Sequence, residues 1–408
     1  MRIMYLTQWF DPEPGVIKGP RFVRAIEAAG HDVTVVTGFP NYPAGRLYPG
    51  YRMRPFMREV IGGARVLRLP LYPSHDSSAL RRALNYLSFF LSAFVYCLIR
   101  RERYALAYVY HPPITVGLAA ALAGLVRRLP FLLEIQDLWP DTVAATGMVK
   151  TGRIVALLDR LCHFVYRRAA AIIVQSDGMR DALIARGVPA ARITTIRNWA
   201  DVDPLPDPET AAPDPQAFTI VYGGNLGRAQ ALATVVDAAA IVEHEHRQAI
   251  AIHLYGDGID ASALRRRAAE LGVTALHFHG RISHAQMLLI LARADALLIH
   301  LADDPLFAIT IPSKTQLYLA MGRPIVAGIA GEAAALLDRS GAAHVVPPED
   351  AVALARAIHA MADLPIERRR SMGRDGQAFY REALSFETAI ERTLAVIAGA
   401  PDLAGRRA

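Results

Sequence analysis

Residues 218–228 read FTIVYGGNLGR. A run of β-branched and aromatic residues passes directly into a glycine-rich loop, which is typical of a buried parallel strand followed by a helix. We expect that helix to begin at about Ala229. Glycines let the backbone approach a ligand, and the free N–H groups of a helix start favour an anion. The loop residues Gly224, Asn225 and Gly227 are therefore candidates for binding phosphate. The G-x-G-x-x-G fingerprint is absent, which disfavours a nicotinamide dehydrogenase.

The chain opens in the same way. The apolar run Ile3–Leu6 precedes a loop that contains Gly15, Lys18 and Gly19, and a helix is expected from about Pro20. Only three of the 45 basic residues are lysines. A compact ammonium suits a phosphate as a point charge, so a lysine in such a loop is informative. This loop is a second candidate anion site.

Short apolar runs alternate with helical patterns along the whole chain, which predicts an α/β protein with parallel sheets covered on both faces. The predicted strands of the first half are Ile3–Leu6, Val33–Thr37, Val66–Leu69, Ala107–Tyr110, Phe131–Ile135 and Ala171–Val174. Those of the second half are Phe218–Tyr222, Ile250–Tyr255, Leu276–His279, Ala296–His300, Ile325–Ala327 and His344–Val346.

The two halves are separated by a proline-rich stretch. Residues 200–216 contain five prolines, which block both helix and central strand. We therefore predict two doubly wound, Rossmann-like domains, residues 1–200 and 217–380, joined by a linker at 201–216. Such domains would face each other across a cleft that holds the active site. Residues 381–408 are predicted to form a helix that packs back on the first domain.

Charged side chains fall close to the expected ligand loops. Arg228 follows Gly227 directly, and Lys314 lies in the stretch Pro312-Ser313-Lys314 beyond a predicted strand. These two cations and the helix dipole could neutralise a diphosphate leaving group without a metal ion. The D-x-D pair at Asp201 and Asp203 belongs to the linker composition, and we predict no metal site and no cofactor.

Asp137 is the candidate for handling an acceptor. The predicted strand Phe131–Ile135 ends two residues before it, and a carboxylate beyond a parallel strand lies at the ligand edge of the sheet. Asp137 could hold or deprotonate an acceptor hydroxyl, whereas its alternative role is to cap the next helix. Glu134, inside the strand, is expected to be structural.

Charge and hydropathy point to an anionic partner. The chain carries +7 overall, with +11 in residues 1–203 and −4 in residues 204–408. No zinc-finger or RNA-binding signature is present, so we expect no nucleic acid partner. Residues 83–99 are apolar but short for a membrane span, so they predict either a helix that dips into a bilayer surface or a buried helix. The first residues lack the pattern of a signal peptide.

Several motifs together resemble the GT-B fold, family 4 retaining glycosyltransferases. They are Gly30-His31-Asp32-Val33-Thr34-Val35, Ile196-Arg197-Asn198, Gly256-Asp257-Gly258, Phe278-His279-Gly280-Arg281 and Ala320-Met321-Gly322-Arg323-Pro324. The resemblance covers nearly the whole chain. It implies that the second domain binds a nucleotide-sugar and that the first binds the acceptor. The implied donor-binding residues are Gly15, Lys18, Gly19, Gly224, Asn225, Gly227, Gly256, Arg281, Pro312, Ser313 and Gln316, with Asp137, Arg228 and Lys314 in catalysis.

A narrower resemblance concerns the stretches 38–45, 68–76, 136–141, 224–230 and 312–316. They are similar to the N-acetyl-L-fucosaminyltransferases of O-antigen and capsule assembly, with colanic acid transferases as near relatives. This implies transfer of a sugar from a UDP-sugar to an undecaprenyl-diphosphate-linked glycan. It also implies a cytoplasmic protein held at the inner face of the cytoplasmic membrane.

The chain departs from the broader family at one place. Many members carry E-x7-E, but the matching positions here are Ile309 and Leu317. The donor sugar is therefore open, and two alternatives remain. One is a UDP-sugar epimerase on the same scaffold, which would form product from UDP-sugar alone. The other is an inactive partner in polysaccharide assembly, which would bind no UDP.

Overall fold

The computed structural model describes residues 1–74, 79–111, 113–142, 152–208, 217–245 and 249–405, without the side chains of residues 79 and 401–405. By its internal contacts the chain divides into two compact units. We call Met1–Arg197 with Ala389–Ala408 unit 1, and Asn198–Thr388 unit 2. Lys150, expected to be solvated, and residues 209–216 of the predicted linker lie outside the described residues.

Unit 1 is built on an eight-stranded sheet. Its strands are β1 (Arg2–Leu6), β2 (Asp32–Gly38), β3 (Met57–Ile61), β4 (Ala64–Leu69), β5 (Leu106–His111), β6 (Phe131–Ile135), β7 (Ala171–Val174) and β8 (Ile193–Thr195). They are ordered β3-β4-β2-β1-β5-β6-β7-β8. The β3–β4 pair is antiparallel and all other neighbours are parallel.

The described helices of unit 1 connect these strands. They are α1 (Pro20–Ala28), α2 (Ala79–Ile99), α3 (Ile114–Arg127), α4 (Gly152–Arg168) and α5 (Asp177–Ala185). Helix α1 begins where predicted because proline is tolerated in a first turn. Helix α5 begins at Ser176, whose hydroxyl accepts a hydrogen bond from the Met179 amide at 3.1 Å.

Unit 2 contains a six-stranded, wholly parallel sheet. Its strands are β9 (Phe218–Gly223), β10 (Ile250–Tyr255), β11 (Leu276–Gly280), β12 (Ala296–His300), β13 (Ile325–Gly328) and β14 (Ala343–Val346). They are ordered β11-β10-β9-β12-β13-β14. The α-helices are α6 (Ala233–His244), α7 (Ala261–Glu270), α8 (His284–Arg293), α9 (Pro305–Ala308), α10 (Ser313–Met321), α11 (Gly331–Ser340), α12 (Ala351–Ala362) and α13 (Ile366–Ala383). The last helix, α14 (Phe386–Gly405), begins in unit 2 and belongs to unit 1 from Ala389 onward. The predicted fold of two α/β, Rossmann-like domains is confirmed.

The segment 198–208 is part of unit 2. The Ala200 amide donates to the Tyr380 hydroxyl at 3.2 Å, and the Gln377 side chain donates to the Pro206 carbonyl at 2.8 Å. The Trp199 ring meets the Phe386 ring edge-on at 5.0 Å. The first part of the predicted linker therefore packs against the rest of unit 2. The prolines of residues 200–216 had indicated a connector without such contacts.

Helix α2 has one exposed apolar face. It is the one helix within the described ranges that is long and apolar enough to cross a membrane. Only 22% of its most apolar window is buried, so most of that window is at least partly exposed. The large exposed side chains recur every three or four residues, which is one helical turn: Leu80, Leu84, Leu87, Leu91, Val95 and Ile99. The opposite face is buried core, including Phe89, Ala93 and Cys97. One face of α2 is therefore core, as the buried alternative predicted, and contact of the other face with a bilayer surface stays a prediction.

Candidate active site

The strand order places two loops of unit 2 at a switch point. Strand β9 pairs with β10 on one side and with β12 on the other, so the direction of winding reverses there. Open α/β sheets bind ligands at this point, beyond the carboxyl ends of the strands. The glycine loop follows β9, and helix α10 follows β12 and α9.

Lys314 reaches the glycine loop from the first turn of α10. A Cβ atom on Gly224 would lie 2.6 Å from both Cε and Nζ of Lys314, so only glycine leaves room for the ammonium. Gly224 also has φ of +151°, which side chains rarely adopt. The ammonium lies 4.8 Å from the centroid of the Tyr222 ring. Loop and lysine therefore form one unit of structure.

The Lys314 ammonium has no carboxylate partner and no hydrogen-bond acceptor among the described residues. Burial lowers its pKa to about 8, so the group is still mainly charged at neutral pH. A half-buried cation of this kind is stabilised by a bound anion. The site is electrostatically prepared for phosphate.

Two further cations lie in the loops that follow β9 and β11. Arg228 and Arg281 are exposed, and neither forms an ion pair with a described residue. Arg281 follows Gly280 at the end of β11, and Arg228 begins a short 3-10 turn. The predicted helix start at Ala229 is wrong, because this turn and Ala231 in the left-handed region, at φ of 43°, delay α6 until Ala233. Arg228 thus lies on a loop and not at a helix N-terminus.

Gly256, directly after β10, packs against the backbone of the glycine loop. A Cβ atom there would lie 1.7 Å from the Gly224 carbonyl oxygen, so the loops after β9 and β10 pack backbone against backbone. The Leu226 amide donates to the Asp257 carbonyl at 3.0 Å across the same contact. Asn225 lies on the exposed side of the loop, and its side-chain amide donates to the Gln230 side chain at 3.3 Å. A Cβ on Gly227 would fall 2.5 Å from that Asn225 amide nitrogen.

The start of α10 divides into exposed and buried positions. Pro312 precedes the first turn and Ser313 is exposed within it. Gln316 is buried, and its amide nitrogen donates to the Pro312 carbonyl at 2.8 Å. The side chain is thereby held against its own helix start, and its assignment to donor binding stays a prediction. Thr315 is also buried, and its hydroxyl has no hydrogen-bond partner among the described residues.

The predicted role of Lys18 in phosphate binding is corrected. Its ammonium lies 2.8 Å from the Glu134 carboxylate, and both side chains are only 1% exposed. Gln136 donates to the same carboxylate at 2.6 Å, and Tyr108 donates to its other oxygen. Lys18 and Glu134 thus form a buried ion pair inside unit 1. A structural role had been predicted for Glu134 but not for Lys18.

The neighbouring glycines serve the turn into α1. Gly15 is exposed with φ of +77°, and nothing lies within 4 Å of an added Cβ. Gly19 is buried, and its added Cβ would lie 2.5 Å from the Asp11 carboxylate. Gly15 therefore suits glycine because of its backbone angle, and Gly19 because a side chain there would meet the Asp11 carboxylate.

Asp137 stands at the carboxyl end of β6 as predicted. Its side chain is half-buried and makes no hydrogen bond or ion pair with a described residue. Burial raises the pKa of the carboxyl group above its usual value of 3.8. The capping alternative finds no support in these contacts, and the carboxylate is available to a ligand hydroxyl.

Sequence reasoning gave no role to two buried histidines. His300, at the end of β12, has Nδ1 at 2.8 Å from the Gln230 carbonyl, and its Nε2 accepts from the Glu349 amide at 3.3 Å. It thereby holds the turn that carries Arg228. His111, at the end of β5, finds no partner for either ring nitrogen among the described residues, and burial lowers its pKa to about 3. A histidine next to a strand end is the only sequence signal for either.

Within the described ranges, no group of three or more His, Cys, Asp or Glu side chains could hold a metal ion. The charged groups at the ligand edges are the cations of unit 2 and Asp137 of unit 1. Their chemistry fits binding of an anionic donor and of a hydroxyl-bearing acceptor.

Solved structures of glycosyltransferases share this fold. One is HepE of Anabaena in complex with UDP and glucose, with a TM-score of 0.67 and 17% identity over 98% of this chain and 99% of that one. Another is the E. coli trehalose-6-phosphate structure bound with UDP-2-fluoro glucose, with a TM-score of 0.71 and 13% identity over 99% of both chains. The fold is therefore that of the GT-B class.

Family matches agree with the fold. Residues 20–199 match the family described as "Glycosyl transferase 4-like domain", and residues 217–363 match "Glycosyl transferases group 1". The two matches together account for most of the chain. The protein is a glycosyltransferase made of these two domains.

Two relatives of this chain are named as glycosyltransferases. The chain is 29% identical over 269 residues to "Probable glycosyltransferase WbjE" of Pseudomonas aeruginosa, covering 63% of this chain and 66% of the relative. It is 28% identical over 370 residues to WcaI of Escherichia coli K12, a glycosyl transferase named for colanic acid biosynthesis, covering 84% and 87%.

Proposed function

We propose that this chain transfers a sugar from a UDP-sugar to a lipid-linked glycan in O-antigen, capsule or exopolysaccharide synthesis, with retention at the anomeric carbon. The observation that carries the proposal is the half-buried Lys314 ammonium, which lies against Gly224 with no anionic partner among the described residues. The name of WcaI supports the polysaccharide context, and the name of WbjE supports glycosyl transfer. The UDP-containing structures of the same fold support the donor class.

The diphosphate would bind at the β9 loop, where Lys314 lies against Gly224. Lys314 meets it as a point charge, while Arg228 and Arg281 are free to approach from the exposed side. These groups stabilise charge that grows on the leaving diphosphate, which is the electrostatic task a metal ion otherwise performs. We propose on this basis that the reaction requires no metal ion.

The transfer step is a substitution at the anomeric carbon. The acceptor oxygen forms the new bond to that carbon, and the bond from the carbon to the diphosphate oxygen breaks. The electron pair stays on the leaving oxygen, which also takes the proton of the acceptor hydroxyl. Attack on the face that the diphosphate leaves gives retention. Asp137 accepts a hydrogen bond from the hydroxyl and orients it before attack.

The membrane part of the proposal concerns unit 1. Helix α2 presents the apolar stripe described above, and the exposed Arg101 and Arg103 follow its end. Arg100 is buried and belongs to the core instead. Apolar side chains beside exposed arginines suit an anionic bilayer surface. We propose that the protein is peripheral on the cytoplasmic face of the membrane.

Calorimetry with UDP tests the donor assignment directly. Lys314→Gln and Arg228→Gln should each weaken UDP binding, whereas Arg356→Gln, a change at an exposed arginine on α12, should not. Transfer from a panel of UDP-sugars should leave the anomeric configuration unchanged by NMR and should persist in EDTA. Wild-type protein that binds no UDP, or that forms product from UDP-sugar alone, would favour the inactive partner or the epimerase.

A further inference from the structure

Four aromatic rings gather at the ligand edge of unit 1. Trp9 follows β1, Tyr42 follows β2 and Trp139 follows β6, while Tyr86 comes from α2. The Trp9 ring lies 6.0 Å from Tyr42 and 6.2 Å from Tyr86, and Tyr86 lies 6.4 Å from Trp139. The parallel strands end at the same edge, so their following residues meet there. We call these four rings the aromatic cluster.

Two charged side chains lie beside the aromatic cluster. Arg82 precedes Tyr86 by one helical turn, and Asp137 precedes Trp139 by two residues. Both are half-buried, and neither makes an ion pair or hydrogen bond with a described residue. Burial raises the pKa of Tyr86, the Arg82 charge lowers it and the Asp137 charge raises it, so both charges act on that hydroxyl. Charges held in this way are costly unless a ligand pairs with them.

The aromatic cluster is held by a buried polar network. Asn85 accepts from Gln8 at 2.6 Å and donates to the Tyr72 carbonyl at 2.7 Å, which ties α2 to the loop that carries Trp9. The Glu13 carboxylate accepts from the amides of Asn41 and Tyr42 at 2.7 and 2.8 Å. The rings are therefore placed before any ligand arrives, as a binding surface requires.

We propose that Trp9, Tyr86 and Arg82 form the subsite for the sugar of the acceptor that bears a diphosphate. This inference rests on the proposed function and names its acceptor chemistry. The C–H face of a pyranose packs on the half-buried rings, a ring hydroxyl reaches Asp137, and the phosphate on the sugar pairs with Arg82. A bare lipid chain would cover the rings but leave both charges without partners. A neutral sugar would leave Arg82 without one.

Calorimetry on the full chain separates these ligands. The probe is N-acetylglucosamine linked through diphosphate to farnesol, compared with farnesyl diphosphate and with methyl N-acetylglucosaminide. We expect the full probe to bind at least about tenfold more tightly than either part. Trp9→Leu, Tyr86→Leu and Arg82→Gln should each weaken it by about tenfold or more, the typical effect of losing one charge-assisted or stacking contact. Trp9→Phe and Tyr86→Phe, which keep a ring, should retain most of the affinity.

The controls distinguish this inference from the proposed function. Arg24→Gln, a change at an exposed arginine on α1, should leave probe binding unchanged. UDP binding measured on every variant should also be unchanged, since the donor residues belong to unit 2. Variants that keep wild-type probe affinity, or a wild-type protein that binds farnesyl diphosphate as well as the full probe, would overturn the subsite while leaving UDP binding intact. Absence of UDP binding in wild-type protein would overturn the proposed function itself.

Discussion

At the residue scale, Lys314 links the fold of unit 2 to a measurable pH dependence. Its pKa of about 8 in the free protein means that the ammonium loses its proton as the pH rises through 8. A UDP diphosphate binds the charged form, so affinity should fall between pH 7.5 and 9.5. Lys314→Gln should weaken binding by about 10- to 100-fold at pH 7.5, the range for a contact to a charged group. The variant should also lose the pH dependence.

Calorimetric titrations at several pH values measure both effects. A matched series on Arg356→Gln should follow the wild type. Equal UDP affinity at pH 7.5 and 9.5 in the wild type would show that Lys314 does not face the diphosphate.

Asp137 should show opposite effects on activity and stability. Between pH 3.8 and its raised pKa, the folded protein holds a proton that the unfolded chain has lost, so stability falls as the pH rises through that window. Above that raised pKa the whole cost is present. Asp137→Asn removes it, and we expect a higher Tm at pH 7 together with a loss of transfer rate of about 10²-fold from poorer orientation.

Scanning calorimetry at pH 7 and near pH 3, with transfer assays at pH 7, checks this pair of effects. The gain in Tm should vanish at the acid end, where the wild-type carboxyl is neutral in both states. A variant with full activity would exclude Asp137 from the reaction.

At the element scale, the strands could be read from the sequence because continuous apolar runs mark buried parallel strands. All of the predicted strands are present within one or two residues of their expected ends. Two strands were not predicted: β3, whose alternating half-buried and exposed residues are typical of an edge strand, and the three-residue β8. Neither has the continuous run on which the prediction depended.

Site residues were harder to predict than strands, because a position in a loop does not say which way a side chain points. Lys18 lies in a glycine loop and Lys314 lies beyond a strand, so both were predicted to bind phosphate. Lys18 is instead buried in an ion pair with Glu134 of β6. No carboxylate of the described residues pairs with the Lys314 ammonium. The partner that decides between the two fates is distant in sequence and is visible only once the sheet is assembled.

The two loops after β9 and β10 should behave as one element. Gly256→Ala places a Cβ against the Gly224 carbonyl, and backbone cannot yield as a side chain can. Its φ of +134° adds strain. We expect loss of UDP binding and a lower free energy of unfolding, by roughly 1–3 kcal/mol or more. Gly272→Ala is the matched control, with positive φ but nothing within 4 Å of its added Cβ.

Denaturant unfolding and UDP titration of both variants measure the difference. The control should lose about 1 kcal/mol from its left-handed backbone and keep UDP binding. If the two variants bind UDP equally, the contact between the loops is not what shapes the site.

Helix α2 offers a comparison between its two faces. Phe89 is fully buried, so it belongs to the core face of this helix, and Phe89→Ser should cost about 3–5 kcal/mol of stability. Leu87 and Leu91 are 54% and 59% exposed. Changing both to Ser should leave the Tm nearly unchanged and reduce binding to lipid vesicles. Phe90 and Phe94, half-buried and stacked at 6.0 Å, should show both effects in part.

Melting curves and vesicle co-sedimentation on the same preparations separate stability from binding. A loss of fold in the Leu87 and Leu91 double variant would mean that the exposed stripe is covered in the protein as it exists. Undiminished vesicle binding by a folded double variant would remove α2 from the membrane contact.

At the scale of the whole molecule, the net charge differs between the half proposed to bind the acceptor and the half proposed to bind the donor. The front half, which carries Asp137 and the aromatic cluster, has a net charge of +11, and the second half has −4 although it carries Lys314. The local cations of unit 2 therefore act at short range on a donor, whereas the excess of the front half acts over a wide surface. A general excess of this kind attracts anionic lipid rather than one small ligand.

The last prediction tests that attraction. The protein should bind vesicles that contain anionic phospholipid and bind neutral vesicles weakly, because each arginine near an anionic surface contributes about 1 kcal/mol. Raising the salt from 50 to 300 mM shortens the screening length from above to below about 10 Å and should release much of the protein. Arg101→Glu with Arg103→Glu should weaken binding at low salt, while Arg356→Glu in unit 2 should not. Binding that ignores both salt and lipid charge would assign the contact to the apolar stripe of α2 alone, and a protein that binds neither vesicle at low salt would refute the membrane part of the proposed function.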